Sequence, residues 1–64
     1  MTLSDAAVGK RVELVVDLTP NGFDLPKGSL GEITGILQDE MIVRFDDDRT
    51  KSERYMFLHE LEIV

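Results

Sequence analysis

The sequence contains no cysteine and no tryptophan, and its single histidine is His59. Without cysteine there can be no disulfide framework. Structural zinc is disfavoured nearly as firmly, because one imidazole with no thiolate cannot complete a zinc site. A chain of 64 residues has room for one domain only. We therefore expect a single small domain held by apolar packing, with no metal and no cofactor.

Positive charge is also scarce, since seven basic residues face thirteen acidic ones and the net charge is −6. A nucleic acid is normally bound by a basic face that releases counterions, so this balance argues against a nucleic-acid partner and against an anionic membrane surface. No apolar run approaches the roughly 20 residues of a spanning helix. The start "MTLSDAAVGKR" lacks the pattern of a signal peptide. These features predict a cytoplasmic protein without membrane insertion.

Helical periodicity is nearly absent, apart from "SDAAV", where Ser4 can cap a single turn. Apolar and polar residues instead alternate with period two, which is typical of strands. Residues 1–9 are interpreted as an N-terminal segment and 10–64 as the domain. A single 3₁₀ turn is expected at "HEL". The expected strands lie near residues 10–18, 31–38, 41–47, 52–58 and 62–64.

The same alternation predicts which side chains are buried. In the fourth strand it places Tyr55 and Phe57 on one face, and Arg54, Met56 and Leu58 on the other. The residues expected to be mostly buried are Val12, Leu14, Val16, Ile33, Val43, Phe45, Phe57, Leu61 and Ile63.

The connections favour an all-β, five-stranded SH3-like small barrel with a long first loop and a 3₁₀ turn before the last strand. The first connection, 19–30, is long, and Pro26 and Gly28 suit the second and fourth positions of a type I turn. The next is short enough for a hairpin. Gly28 and Gly31 are expected to supply backbone angles that a side chain resists, and Gly35 to thin the second strand where a small barrel bends. Closing the sheet would hide its edges.

Four segments together resemble a known group of proteins: "VGKRVELVVDL", "LPKGSLGEITGIL", "MIVRFDD" and "HELEIV". They are similar to the small SH3-like accessory proteins of electron transport. These include the fourth subunit of the photosystem I reaction centre, the variable chain of ferredoxin–thioredoxin reductase and the barrel domain of the nitrile hydratase beta chain. Small bacterial SH3-like domains of unassigned role resemble the chain as well. The resemblance implies an SH3-like fold and docking on a larger assembly.

The residues with chemical potential do not form a catalytic or metal pattern. His59 is adjacent to Glu60 in the expected turn, where the two side chains do not aim at each other and no nucleophile accompanies them. A calcium loop needs ligands at spaced positions, a glycine and a distal acidic residue. The three consecutive acidic residues 46–48 do not have this arrangement. Arg49 and Lys51 are expected to balance the acidic run in a solvated hairpin. We therefore expect no enzyme.

Two sets of residues are candidates for contact with a protein partner. The first loop carries Phe23 and Leu25, of which one is expected to cover the core and the other to be free. The fourth strand offers Tyr55 and Met56, near Arg44 and Arg54, on whichever face stays open. Tyrosine, methionine and arginine are enriched at interface centres. Core packing is the alternative role for Phe23 and Tyr55. The candidate partner-binding residues are Phe23, Leu25, Arg44, Arg54, Tyr55 and Met56.

The leading hypothesis is a non-catalytic accessory or adaptor barrel that docks on a larger protein or enzyme assembly, as a monomer or weak homo-oligomer. A KOW-type nucleic-acid or ribosome-binding barrel is one alternative, through the cluster Arg44, Arg49, Lys51 and Arg54. A self-associating structural protein is the other. A groove for proline-rich peptides is disfavoured, because such grooves are lined by several aromatics and the chain has one tyrosine and no tryptophan.

Overall fold

The protein is described here from a computed structural model that covers residues 3–20, 24–48, 50 and 52–64. The 3₁₀ turns Leu3–Asp5 and Leu58–Glu60 lie within these ranges. Neither is long or apolar enough to cross a membrane. The strands are β1 (Arg11–Leu14), β2 (Leu30–Ile36), β3 (Glu40–Phe45), β4 (Arg54–Phe57) and β5 (Leu61–Ile63).

The five strands form one antiparallel sheet in the order β4-β3-β2-β1-β5. β1 pairs with both β2 and β5, while β2–β3 and β3–β4 are consecutive antiparallel pairs. The prediction of an all-β fold with five strands is confirmed. In this order β4 and β5 are the two edge strands.

One side of the sheet carries the core. Its fully buried apolar residues are Val12, Leu14, Leu25, Ile33, Met41, Val43, Phe45, Met56 and Leu61. In β1 and β3 the buried residues alternate with exposed or half-buried ones, as the period-two pattern predicts. Six of the nine predicted core residues are therefore confirmed, and Val16 is partly buried against them. Phe57 and Ile63 are exceptions, and both predictions of burial are wrong.

In β4 the predicted alternation is present but its buried face is the opposite one. Met56 is 2% exposed and Phe57 is 48% exposed. The cause is register, because Met56 pairs with the buried Met41 whereas Phe57 pairs with Glu40. Residues opposite each other in an antiparallel pair share a face, so β3 places Met56 on the core side. The predicted burial of Phe57 placed the core on the side of Tyr55 and Phe57, which is the exposed side.

Ile63 is 37% exposed although its partner Val12 is fully buried. It is the last residue of β5, at the edge of the sheet, where no further strand covers it. Leu61, at the other end of the same short strand, pairs with Leu14 and is buried as predicted. Position in the strand therefore decides burial here, rather than the apolar character of the residue.

β1 is shorter than the predicted span 10–18, because the chain from Val15 onward becomes one arm of the first loop. The main-chain N–H of Leu14 donates to Ser29 O at 2.8 Å, and that of Leu18 donates to Leu25 O at 3.2 Å. The two arms of the loop thus lie beside each other. This arrangement brings Leu25 into the core at 1% exposure.

Two glycines at the base of this loop are required for different reasons. Gly28 has φ +97°, a left-handed conformation that confirms the prediction for this position. Gly31 has no positive φ, so the expected special backbone angle is absent there. A side chain on Gly31 would instead place its Cβ 2.8 Å from Arg44 O. Close approach of β3, rather than backbone angle, explains this glycine.

Candidate protein-binding surface

The face of β3 and β4 that points away from the core carries uncovered aromatic side chains. Tyr55 is 62% exposed and Phe57 is 48% exposed. Ile42 lies opposite Tyr55 on β3 and is half-buried. We call the surface formed by Ile42, Tyr55, Phe57 and His59 the aromatic face. Exposed aromatic side chains that are grouped in this way are typical of protein contact sites.

The end of the aromatic face is fixed by the second 3₁₀ turn. The rings of Phe57 and His59 are stacked, with centroids 5.8 Å apart and planes 8° from parallel. The Phe57 N–H donates to Glu60 Oε1 at 2.8 Å. The turn therefore holds His59 against Phe57, and the two rings present one continuous surface.

A shift in the β2–β3 register places a glycine beside Ile42. The shift lies between Ile33 and Gly35, and it places Gly35 opposite Ile42. A Cβ on Gly35 would contact Ile42 Cδ1 at 3.0 Å. The predicted thinning of β2 at Gly35 is thus present as a bulge, and it leaves Ile42 without a bulky cross-strand neighbour on this side.

Charged groups border the aromatic face. Glu40 pairs with Phe57 on the same face. Glu53 is two residues before Tyr55, and its Oε2 accepts a hydrogen bond from Thr34 Oγ1. Arg44 is the basic residue here, and it makes no ion pair with any residue in the described part of the chain. Counted over the described residues, the border is therefore predominantly acidic.

Arg54 lies on the other side of β4 and is engaged inside the molecule. Its Nε donates to Asp48 Oδ2 at 2.7 Å, and its Nη1 is 2.8 Å from Asp24 Oδ2. We call these three residues the Arg54 network. It joins the first loop, the β3–β4 connection and β4. Arg54 was predicted at the partner surface, but the structure gives it internal partners and an exposure of 24% for its side chain.

Asp48 is the buried carboxylate of this network, with 4% exposure. Hydrogen bonds from Arg54, and also from the Thr50 hydroxyl and N–H, lower the pKa of Asp48 to about 2 against the opposing effect of burial. The acidic run was predicted to be a solvated hairpin balanced by Arg49 and Lys51. For Asp48 this is wrong, because it is buried and pairs with Arg54. Arg49 and Lys51 lie outside the described residues.

The other predicted contact residues are divided by the structure. Met56 and Leu25 are buried, so their side chains are not on the surface. Phe23 lies outside the described residues, and its role stays a prediction. Tyr55 and Arg44 are exposed. Of the proposed pair in the first loop, Leu25 is the residue that covers the core.

Sequence reasoning missed Phe57 and Ile42 as surface residues and Asp48 as a buried one. The alternation in "RYMF" did separate Tyr55 and Phe57 from Met56. It could not show which set faced the core, because both sets contain apolar side chains. For Asp48, the signal was an arginine in the next strand, which is too common a pattern to identify a buried ion pair.

A recess lies farther along the same face, with a volume of about 410 Å³ and a lining of Arg11, Glu32, Thr34, Arg44, Phe45 and Asp46. Arg11 makes a two-point contact with Asp46, in which Nη1 is 3.0 Å from Oδ1. This hydrogen bonding lowers the pKa of Asp46. Both side chains are largely exposed, so the pair is screened by solvent and contributes little to stability.

Two further observations concern the chemically reactive side chains of the described residues. His59 stacks on Phe57, and the described ranges contain no group of three or more His, Cys, Asp or Glu that could hold a metal ion. Arg44 and Arg54 point to opposite sides of the sheet, so they do not form one basic patch. Comparison with protein-family models, curated proteins and solved structures finds no match to this chain.

Proposed function

We propose that this protein is a non-catalytic binding module that docks on a larger protein or assembly through its aromatic face. The observation that carries the proposal is the pair Tyr55 and Phe57, which lie two residues apart on the same uncovered face and are 62% and 48% exposed. A small domain gains stability by burying aromatic side chains. The exposure of both rings to water therefore favours a role in contact with a partner protein.

The aromatic composition strengthens this reasoning. The chain has only four aromatic residues, one tyrosine and three phenylalanines. Phe45 is in the core at 2% exposure, whereas Tyr55 and Phe57 are outside it. Methionines 41 and 56 and several aliphatic residues fill the space instead. The core is thus built without these two rings, which leaves them available to a partner.

The finer proposal is that the domain is an SH3-like barrel of the accessory type. Five short strands, a long first loop and a 3₁₀ turn directly before the last strand support it. The sequence resemblance to the electron-transport accessory proteins supports it as well. In this proposal His59 and Glu60 have a structural role, since one stacks on Phe57 and the other accepts its N–H.

Site-specific photo-crosslinking tests the docking surface. A photoreactive amino acid is placed at Tyr55 in the full chain, and in a matched variant at Glu62, an exposed residue on the opposite edge strand. In cells that express the chain, we expect discrete adducts from the first position and none from the second. The captured protein is then purified, and its affinity for the unmodified chain is measured.

Substitution of the aromatic face decides whether the captured protein is a partner. Tyr55→Ser should weaken its binding by about tenfold or more, as expected for a central interface aromatic. Leu30→Ser is the control, because Leu30 is also an exposed apolar residue of the sheet, at 43%, but lies two strands away. Equal effects of the two substitutions, or equal crosslinking at the two positions, would refute the proposal.

A further inference from the structure

The edge strand β4 has main-chain groups that face outward at Tyr55. The N–H of Leu37 donates to Glu40 O at 2.8 Å in the β2–β3 hairpin, so the main-chain groups of Glu40 face β2. Main-chain groups of successive strand residues point to opposite sides. Met41 therefore faces β4 and bonds with its partner Met56. The N–H and C=O of Tyr55 consequently point away from β3.

Phe57 is the next residue of β4 whose main-chain groups point to the same side as those of Tyr55, and it confirms the outward direction. Its N–H donates to Glu60 Oε1 instead of to β3. This bond closes the edge at one end. No residue in the described part of the chain forms a corresponding bond with the main chain of Tyr55. The open edge thus begins at Tyr55 and continues toward Glu53.

The charges beside this edge select the partner's chemistry. Glu53 lies two residues before Tyr55 and its carboxylate accepts a hydrogen bond from Thr34 of β2, Glu40 shares a face with Phe57, and the Glu60 carboxylate lies at the closed end. Among the described residues, Arg44 is the opposing charge on this face. A second copy of the chain would bring the same carboxylates and a net charge of −6 toward each other. Like charges across a strand pair are destabilising, so a basic segment fits better than a copy of the chain.

We propose that the β4 edge at Tyr55 accepts an extended, basic segment of a partner protein as an added strand. This inference rests on the proposed function and specifies its partner and mode. The partner's main chain bonds to the N–H and C=O of Tyr55, as in other cases of strand addition. The residue opposite Tyr55 shares its face, so an apolar side chain there contacts the aromatic face. Basic residues two positions away reach Glu53 and the carboxylates near Phe57.

The test uses a defined peptide and ¹⁵N NMR of the full chain. The peptide has seven residues, blocked ends, a central leucine, a lysine two positions to each side and threonine elsewhere. We expect the largest amide shift changes at Tyr55 and its neighbours. Replacing both lysines by glutamate should weaken binding by about tenfold or more. Salt at about 0.5 M should weaken the binding of the lysine peptide, because it screens the charges.

Two further measurements separate the edge from the aromatic face. A peptide N-methylated at a residue whose N–H would bond to Tyr55 keeps its side chains but loses the donor, and it should not bind measurably. Tyr55→Ser should weaken the affinity for the lysine peptide about tenfold, while Leu30→Ser should leave this affinity unchanged. Circular dichroism of both variants verifies that they are folded.

The outcomes distinguish this inference from the function it rests on. Equal binding of the N-methylated or glutamate peptide, or shift changes located away from β4, would overturn the strand addition. Concentration-dependent dimerisation of the chain that is abolished by Tyr55→Ser would show that a second copy of the chain, and not a basic segment, occupies the β4 edge. If no peptide binds while the captured partner still depends on Tyr55, the inference fails and the binding module stands. If the partner is insensitive to Tyr55, both fail.

Discussion

At the scale of single residues, Arg54 joins the first loop and the β3–β4 connection to β4. It holds the buried carboxylate of Asp48 and the more exposed one of Asp24. Removing a partner from a buried charge is costly because the remaining charge stays unpaired in a poorly solvated site. The same interaction makes the molecule sensitive to pH.

Arg54→Ala should lower the free energy of unfolding by about 2–3 kcal/mol, since it leaves the Asp48 carboxylate with Thr50 as its polar partner. Arg44→Ala is the matched control. Arg44 is exposed and without an ion pair to the described residues, so its loss should cost less than about 0.5 kcal/mol. Urea unfolding of the two variants measures the difference. Equal losses would show that the Arg54 network does not stabilise the fold.

The low pKa of Asp48 should make stability fall in acid. Its pKa is about 2 in the folded protein and about 3.9 in an unfolded chain. The depressed pKa contributes about 2–3 kcal/mol of stability at pH values above the unfolded pKa, and this contribution is lost as the pH falls from about 5 to about 1. Urea unfolding across this range tests the decline. Asp48→Asn should be less stable at neutral pH and show a shallower decline, and an unchanged slope would contradict the assignment.

At the scale of elements, the first loop is part of the core rather than a surface appendage. Its arms are joined by the bond from Leu18 N to Leu25 O, and Asp24 N donates to Thr19 Oγ1 at 2.7 Å. Lys27 N donates to Asp17 Oδ1 at 2.7 Å. These bonds place Leu25 beneath the sheet, where it is 1% exposed. The loop therefore contributes to stability through one apolar anchor.

Leu25→Ala should lower the free energy of unfolding by about 2–5 kcal/mol, as for other buried leucines. Tyr55→Ala removes an exposed side chain and should change it by about 0.5 kcal/mol or less. Thermal unfolding of both variants, together with partner binding, separates the two roles. A stable Leu25→Ala variant would mean that the loop does not cover the core.

The elements also show how far the sequence predicts the structure. Strict alternation of apolar and polar residues predicted the faces of β1 and β3, where Val12, Leu14, Val43 and Phe45 are buried. It failed in β4 because both faces carry apolar residues, so cross-strand pairing with Met41 decided the outcome. The aromatic face was accordingly predicted only at Tyr55. The partners of Arg54 were not predicted, since Asp24 is distant in sequence.

At the scale of the whole molecule, net charge and its distribution limit the choice of partner. The chain carries a net charge of −6. Of the four basic residues that the nucleic-acid alternative requires, Arg54 is bound to Asp24 and Asp48, and Arg44 lies on the opposite side of the sheet. The long-range field therefore repels a polyanion, without a basic patch among the described residues to offset it.

We expect the protein to bind duplex DNA or structured RNA no better than background at near-physiological salt. Fluorescence anisotropy titration measures this, with a basic protein of similar size as the positive control. Micromolar binding that weakens with salt and is lost in the triple variant Arg49→Ala, Lys51→Ala, Arg54→Ala would contradict the prediction. It would restore the alternative of a nucleic-acid-binding domain.

The Arg54 network has a consequence for the order of folding events. Asp48 is six residues from Arg54, whereas Asp24 is nearly half of the chain away. Closing the shorter loop costs less entropy, so we expect the Asp48 contact in the transition state and the Asp24 contact only later. In stopped-flow kinetics, Asp48→Asn should then mainly slow folding. Asp24→Asn should leave the folding rate unchanged and modestly accelerate unfolding, so that Asp24 governs how long the native state persists.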